Sequence, residues 1–88
     1  MKQIKVKTEN GKLVCDPTST RTKAADEEKI VWIADGVGND VVVFFEKKSP
    51  FTDGGRGPFP ISKSHTISRA AEPGKYKFEH IEGDIIVD

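Results

Sequence analysis

Two histidines are the side chains of this sequence best suited to bind a metal ion or to move a proton near neutral pH. His65 lies in the segment KSHTIS, and His80 ends an alternating segment in which it shares a face with Tyr76 and Phe78. Either could ligate copper or zinc together with Asp40, because imidazole and carboxylate groups are common ligands of these ions. The alternatives are structural: a solvated strand residue beside a bulge for His65, and a partly buried, hydrogen-bonded strand-end residue for His80. We favour these structural alternatives, so the sequence predicts neither a metal site nor a cofactor.

Cys15 is the only cysteine, so it cannot form a disulfide within the chain, which suits a reducing compartment. It would be a reactive thiol only if a nearby positive charge lowered its pKa, and Lys12 is the nearest cation in the sequence. Its alternation with Leu13 instead predicts a small, buried core residue.

An acidic stretch and a glycine-rich segment are weaker candidates for ligand binding. The acids between Asp26 and Asp40 match no calcium-loop spacing, so we interpret them as solvated loop residues. The segment Gly54 to Gly57 superficially resembles a phosphate-binding loop, but it lacks the lysine and hydroxyl residue of such loops, and no helix follows it. We expect a flexible tip there. Because no nucleophile has a histidine partner at a recognisable spacing, an enzyme is the least expected class.

The loop from Lys47 to Pro60 contains three prolines and three glycines and holds two phenylalanines in a polar context. Phe51 and Phe59, with Arg56 between them, are therefore the candidate interaction residues, forming an apolar contact patch with the neighbouring prolines. The alternative is that both rings fold back as a lid over one end of the core.

The composition of the chain limits the remaining classes of fold, partner and cellular location. The 88 residues allow one domain, residues 1–88, with a modest core. Fourteen basic and fourteen acidic residues balance with no segment of one sign, which disfavours a nucleic-acid partner. No apolar run approaches the length of a membrane span, and the first residues lack the apolar centre of a signal peptide. We expect a cytoplasmic protein, or an extracytoplasmic one if a leader was removed.

The longest apolar stretch, residues 30–45, reads as strand, turn and strand and includes Trp32, the only tryptophan. Trp32 is predicted to lie in the core rather than to line a ligand pocket. Both runs are apolar at successive positions, so we expect both faces of each strand to be at least partly covered.

Other segments alternate or contain turn residues at short intervals. Residues 3–8 predict a half-buried strand, residues 13–15 a short one ended by Asp16-Pro17, and residues 18–23 a polar edge segment. Residues 24–28 read as a loop or one helical turn, and residues 61–71 as an extended segment with a break near His65. Two final strands are predicted over residues 75–81 and 84–87, with Gly83 between them. This gives about seven or eight short strands, an all-β antiparallel or mixed sandwich.

Three stretches resemble the cupredoxin family, the small Greek-key β-sandwiches related to plastocyanin: IVWIADGVGNDVVVFF, PGKYKF and the terminal GDIIVD. The resemblance spans residues 13–88 and implies a cupredoxin-like fold. In copper-carrying members the first histidine ligand follows the glycine turn, where this chain has Asp40. The other ligands lie in a loop after the strand equivalent to YKF; here that loop is missing, His80 stands near the cysteine position, and the only methionine is Met1. The resemblance therefore implies the fold without the blue-copper centre.

Three functional hypotheses follow. The first is a metal-free cupredoxin-like binding or assembly module that is not a catalyst, with an unknown protein partner or another copy of itself bound through the 47–60 loop and an exposed sheet edge. The second is a copper- or zinc-binding protein with a non-standard site. The third is a small electron-transfer protein. We favour the first.

Overall fold

The first hairpin shows how the alternation of apolar and polar residues builds the sheet. In the computed structural model, which describes residues 1–88, strand β1 spans Lys2–Glu9. Ile4 and Val6 are fully buried while Lys5 faces solvent, as the period of two predicts. Asn10 and Gly11 both have positive φ angles (53° and 78°), which suits the tight turn that returns the chain into β2.

Eight strands form one mixed sheet, and the all-β prediction is confirmed. A single 3₁₀ turn, Ala24–Asp26, separates β2 from β3. The structure contains no helix with the length and hydropathy of a membrane-spanning segment. The strands after β1 are β2 (Lys12–Thr22), β3 (Lys29–Ala34), β4 (Val42–Phe45), β5 (Phe59–Pro60), β6 (Ser64–Thr66), β7 (Gly74–Glu79) and β8 (Glu82–Val87). Their order in the sheet is β5-β4-β7-β8-β2-β1-β3-β6, and the pairs β1/β3 and β2/β8 are parallel.

The sheet curls until its two end strands meet. Strands β5 and β6 lie at opposite ends of the strand order but are only three residues apart in sequence, and the Ser62 amide between them donates to the Trp32 carbonyl of β3 (2.7 Å). An isolated bridge between Phe51 and Ile67 adds a further link. The end strands are two and three residues long, so the exposed sheet edge expected from the sequence is short.

The concave face of the curled sheet encloses one aromatic core. Its rings pack mainly edge to face, with centroid separations from 5.0 Å to 6.3 Å. Trp32 is fully buried, which confirms its predicted core role. The phenylalanines of this core are Phe45, Phe51, Phe59 and Phe78.

Strand β2 corrects one prediction. It does not end at Asp16-Pro17 but continues to Thr22, with a shift of register between Val14 and Ser19. Residues 12–16 pair with β1, whereas residues 19–22 pair with β8 and have no second partner strand, which agrees with the predicted edge position. Thr20 and Thr22 are nevertheless buried.

Strand β4 alternates more strongly than the prediction of two at least partly covered faces indicates. Val43 and Phe45 are fully buried, whereas Val42 and Phe44 are 40% and 38% exposed because no second layer covers the convex side. In β3 the prediction holds, since Val31, which points away from the core, is still partly buried.

The predicted break near His65 is confirmed, and its physical reason is visible. Ile61, His65 and Ile67 are all buried, while Lys63 is exposed. This is possible because Ser62 adopts a left-handed φ of 68° and the strand shrinks to three residues.

The last strand begins earlier than the sequence indicates. The sequence predicts that Gly83 separates two strands, yet this residue lies inside β8. A Cβ atom placed on it would lie 3.0 Å from both Cys15 Cβ and Phe78 Cε2. Glycine is therefore used here for close packing rather than to break the strand.

Candidate functional site

His65 is a core residue, which corrects the prediction of a solvated strand position. Its side chain is only 8% exposed and its ring stacks on Phe51, with centroids 5.3 Å apart and an interplanar angle of 29°. The Nε2 atom lies 2.9 Å from the carbonyl oxygen of Pro60. A carbonyl can only accept, so Nε2 carries the proton and donates it to this hydrogen bond. The imidazole thus joins β6 to β5 at the point where the sheet closes.

His80 also differs from its prediction. It does follow the last residue of β7, but its side chain is 87% exposed in the turn before β8, where its φ is 64°. Its nearest charged partner is Glu79, with Nε2 and Oε1 3.4 Å apart. The exposed Asp40 lies in the loop between β3 and β4, and no group of three histidine, cysteine, aspartate or glutamate side chains converges anywhere in the protein. The three candidate ligands His65, His80 and Asp40 are not brought together.

Cys15 is buried, which confirms its predicted core position. Burial, with a smaller contribution from the negative charge of Asp84, raises the pKa of the thiol from about 9 to about 12. The thiol is therefore protonated at neutral pH and is a poor nucleophile.

The raised pKa of Cys15 gives the folded state a specific pH dependence. Because the folded pKa lies above the unfolded value, this group contributes stability that is fully present below about pH 9 and is lost as the pH rises towards about 12. We expect urea midpoints of the wild type to fall over this window more steeply than those of Cys15→Ala. Titration of Tyr76, whose pKa is also raised by burial, is common to both proteins and cancels in the comparison. Parallel pH profiles of the two proteins would contradict this expectation.

Phe51 and Phe59 fold back into the core, so they do not form the exposed contact patch considered from the sequence. They are 3% and 4% exposed, and their ring centroids are 5.0 Å apart. The fold-back alternative describes the structure. Both rings also contact His65, at centroid distances of 5.3 Å.

Arg56, the third candidate interaction residue, lies at the surface with its side chain 53% exposed. Its Nε donates to the carbonyl oxygen of Phe45 (3.0 Å), and its guanidinium pairs with Glu79. The glycine-rich segment around it is not a free tip, because the Phe45 amide donates to the Arg56 carbonyl (2.8 Å) and Gly57 packs against Val43. Arg56 is thus fixed beside β4 and β7.

The surface that Arg56 borders is the convex side of β4 and β7, which we call the β4 face. It consists of Val42, Phe44 and Glu46 on β4 and its extension, with Lys77 and Glu79 on β7. Phe44 lies opposite Glu79, and the Glu46 amide donates to the Lys77 carbonyl (2.9 Å). Apart from Met1, Val42 and Phe44 are the only large apolar side chains classed as exposed. The face thus presents two apolar side chains within a charged frame.

A groove begins where the β4 face ends, and we call it the lysine groove. It has a volume of about 550 Å³ and is open to solvent. Tyr76 forms part of its wall and is held in place because its hydroxyl donates to the carbonyl oxygen of Glu72 (2.6 Å). The groove is lined by Glu46, Lys47, Lys48, Glu72, Pro73, Gly74, Lys75, Tyr76 and Lys77.

A second depression, of about 830 Å³, adjoins the lysine groove and shares Glu46, Lys75 and Lys77 with it. It lies among the residues of the β1–β2 and β7–β8 turns, and its lining includes Lys12 and Asp84. The two depressions are therefore neighbours, and both are open to solvent.

Sequence reasoning missed the β4 face and the lysine groove for different reasons. The run VVVFF predicts at least partial burial on both sides, and the absence of a covering layer leaves Phe44 38% exposed. The groove combines two lysine pairs from distant parts of the chain, 47–48 and 75–77. The alternating lysines of KYKF were the one available signal, because they predict a charged strand face.

No protein-family model matches the chain, and no curated protein matches it.

Proposed function

We propose that this protein is a metal-free, cupredoxin-like Greek-key domain that acts as a binding or assembly module for a protein partner, and not as a catalyst. The observation that carries the proposal is the β4 face, where Val42 and Phe44 remain 40% and 38% exposed beside the fixed Arg56–Glu79 pair. Exposed apolar side chains framed by charge are typical of the centre of a protein contact.

The order of the strands supports the fold part of the proposal. Neighbours such as β4 and β7, β8 and β2, and β3 and β6 are not consecutive in sequence, whereas an up-and-down meander would pair consecutive strands. Strand β2 is shared between the half of the sheet that contains β1 and the half that contains β8. Long connections and a shared strand are features of Greek-key sandwiches.

The arrangement of reactive groups supports binding rather than catalysis. The Cys15 thiol is buried and protonated, the His65 imidazole is engaged with Pro60, and His80 stands on an exposed turn. These groups lie at separate places in the fold, so none forms the nucleophile and base pair that acyl or proton transfer requires.

The test uses Phe44→Asp, which places a charge at the centre of the β4 face without changing the core. Self-association is measured by sedimentation velocity over a range of concentrations, and partner binding by affinity capture from an extract of the source cells. Because a central aromatic anchor contributes roughly 2 kcal/mol or more, we expect at least about a tenfold loss of the contact.

Ser64→Asp is the matched control, because it adds the same charge at an exposed strand position on β6, at the other end of the strand order. It is expected to leave both measurements unchanged. If Phe44→Asp leaves self-association and the set of captured proteins as they are in the wild type, the proposed contact surface is wrong.

The proposal that the protein binds no metal is tested on the same wild-type preparation. Titration calorimetry with Cu²⁺ and Zn²⁺ measures binding, and absorption near 600 nm with added copper detects a copper–thiolate centre. We expect no stoichiometric binding and no charge-transfer band. One bound ion that is lost in His80→Ala would instead support the metal-binding alternative.

A further inference from the structure

The lysine groove continues the β4 face, and the two together indicate the chemistry of the partner. Four of the nine residues that line the groove are lysines and two are glutamates, so its local charge is positive although the whole protein is neutral. None of Lys47, Lys75 and Lys77 has a carboxylate oxygen within 4.0 Å, and Lys48 lies 3.9 Å from Glu72 in a pair whose side chains are both well exposed. These ammonium groups are available to an external anion.

The openness of the two depressions favours an extended ligand over a compact one. Both are open to solvent, and they share Glu46, Lys75 and Lys77. A small-molecule site normally encloses most of its ligand, whereas an open groove can hold a chain segment. The lysines of the lysine groove come from two segments, residues 47–48 and 75–77.

The type of cation indicates which anion fits. The groove contains lysines and no arginine, and it contains no helix N-terminus. Lysine acts as a hydrated point charge, whereas bidentate recognition of a single phosphate is the property of arginine. Several separated lysines therefore suit several separated carboxylates.

The β4 face supplies the apolar part of the same contact. Phe44 and Glu46 lie on one side of β4, and Glu46 is also a wall of the groove. A segment that places carboxylates among the lysines can thus place an apolar side chain against Phe44.

We propose that the lysine groove and the β4 face bind an acidic segment of a partner protein, with carboxylates held by Lys47, Lys75 and Lys77 and an apolar anchor held by Phe44. This inference rests on the proposed function, because it assigns a chemical class to the partner of that same surface.

The probe for the test is a fluorescein-labelled synthetic peptide in which glutamates alternate with glycines around a central leucine. Fluorescence anisotropy with the wild-type protein is expected to show saturable binding that weakens as the ionic strength rises from about 0.05 M to about 0.5 M. The same peptide with glutamine in place of glutamate is expected not to bind. Replacing its leucine by glycine should weaken binding several-fold in the wild type but not in Phe44→Asp.

Charge-reversal variants of Lys75 and Lys77 test whether the peptide binds in the lysine groove. Lys75→Glu/Lys77→Glu is expected to lose at least about tenfold in affinity, and Lys75→Gln/Lys77→Gln a smaller amount, because like charges repel where neutral groups only fail to attract. The matched control is Lys5→Glu/Lys29→Glu, which reverses two exposed strand lysines outside the groove and is expected to keep near wild-type affinity. Circular dichroism confirms that each variant is folded.

Three outcomes would overturn the inference. Equal loss in the groove and control variants would show that only net charge matters. Absence of saturable peptide binding would show that the groove does not bind an acidic segment. Stronger binding of inorganic phosphate or a single-stranded oligonucleotide, with the same dependence on Lys75 and Lys77, would assign the groove to another anion. If the peptide fails but Phe44→Asp still abolishes assembly or capture, the proposed function stands and only this inference is lost.

Discussion

Replacing Phe45 by alanine is expected to bring the protein to the edge of unfolding. The ring is fully buried and lies within 6.3 Å, centroid to centroid, of Trp32, Phe51, Phe59 and Phe78. Its removal leaves a cavity that the curled sheet cannot fill, which costs about 3–5 kcal/mol. A domain of this size has on the order of 5–10 kcal/mol in total. Urea denaturation followed by tryptophan fluorescence measures the loss directly.

The adjacent residue provides the control for this experiment. Phe44→Ala removes the same ring one position away, where it is 38% exposed on the β4 face. Because this ring lies outside the core, we expect a change within about 1 kcal/mol. Similar losses in the two variants would mean that the inward and outward assignment along β4 is wrong.

Gly57→Ala has the second largest expected effect, and it arises from the backbone. An added Cβ would lie 2.7 Å from the carbonyl oxygen of Val43 and 3.2 Å from Phe59, at a φ of 118° that side chains rarely adopt. The contact involves main chain that is already paired within the sheet, so it cannot relax by rotating a side chain. Overpacking and backbone strain together should cost about 2–4 kcal/mol, seen as a lower urea midpoint.

Gly54→Ala separates these two causes. Gly54 also has a positive φ, 64°, but nothing lies within 4 Å of the position its Cβ would take. Only the conformational cost of a left-handed residue remains, about 1 kcal/mol. If Gly57→Ala is no more destabilising than Gly54→Ala, the close approach of the 54–57 segment to β4 is not present in solution.

The contrast between the two glycines also shows where sequence reading reaches its limit. The composition of the segment predicts a flexible tip around Arg56, whereas the Gly54 amide donates to the carbonyl oxygen of Phe51 (3.0 Å). The role of Gly57 depends on Val43, which lies 14 positions earlier and is brought to it by the pairing of β4 with β5.

His65 and the loop phenylalanines illustrate the same limit within the core. The sequence predicted a break near His65, because one face of a strand cannot bury lysine and isoleucine together. It did not predict that the imidazole packs against Phe51 and Phe59 and donates to Pro60. A buried polar side chain is stabilised by a hydrogen-bond partner, and the partner of His65 is the carbonyl of another strand.

Features that depend on neighbours a few residues apart can be derived from the sequence alone. Alternation indicates which side of β1 is buried, Asn10-Gly11 predicts the first turn, and the apolar run around Trp32 predicts the core strand. Three features follow only from the folded arrangement: which strands pair, that β2 lies between β1 and β8, and that no layer covers Phe44. The period of a strand says which side chains share a face, but not what lies against that face. What packs against a face is set by residues far apart in sequence. The lysine groove likewise forms because residues 47–48 and 75–77, which are distant in sequence, lie side by side in the fold.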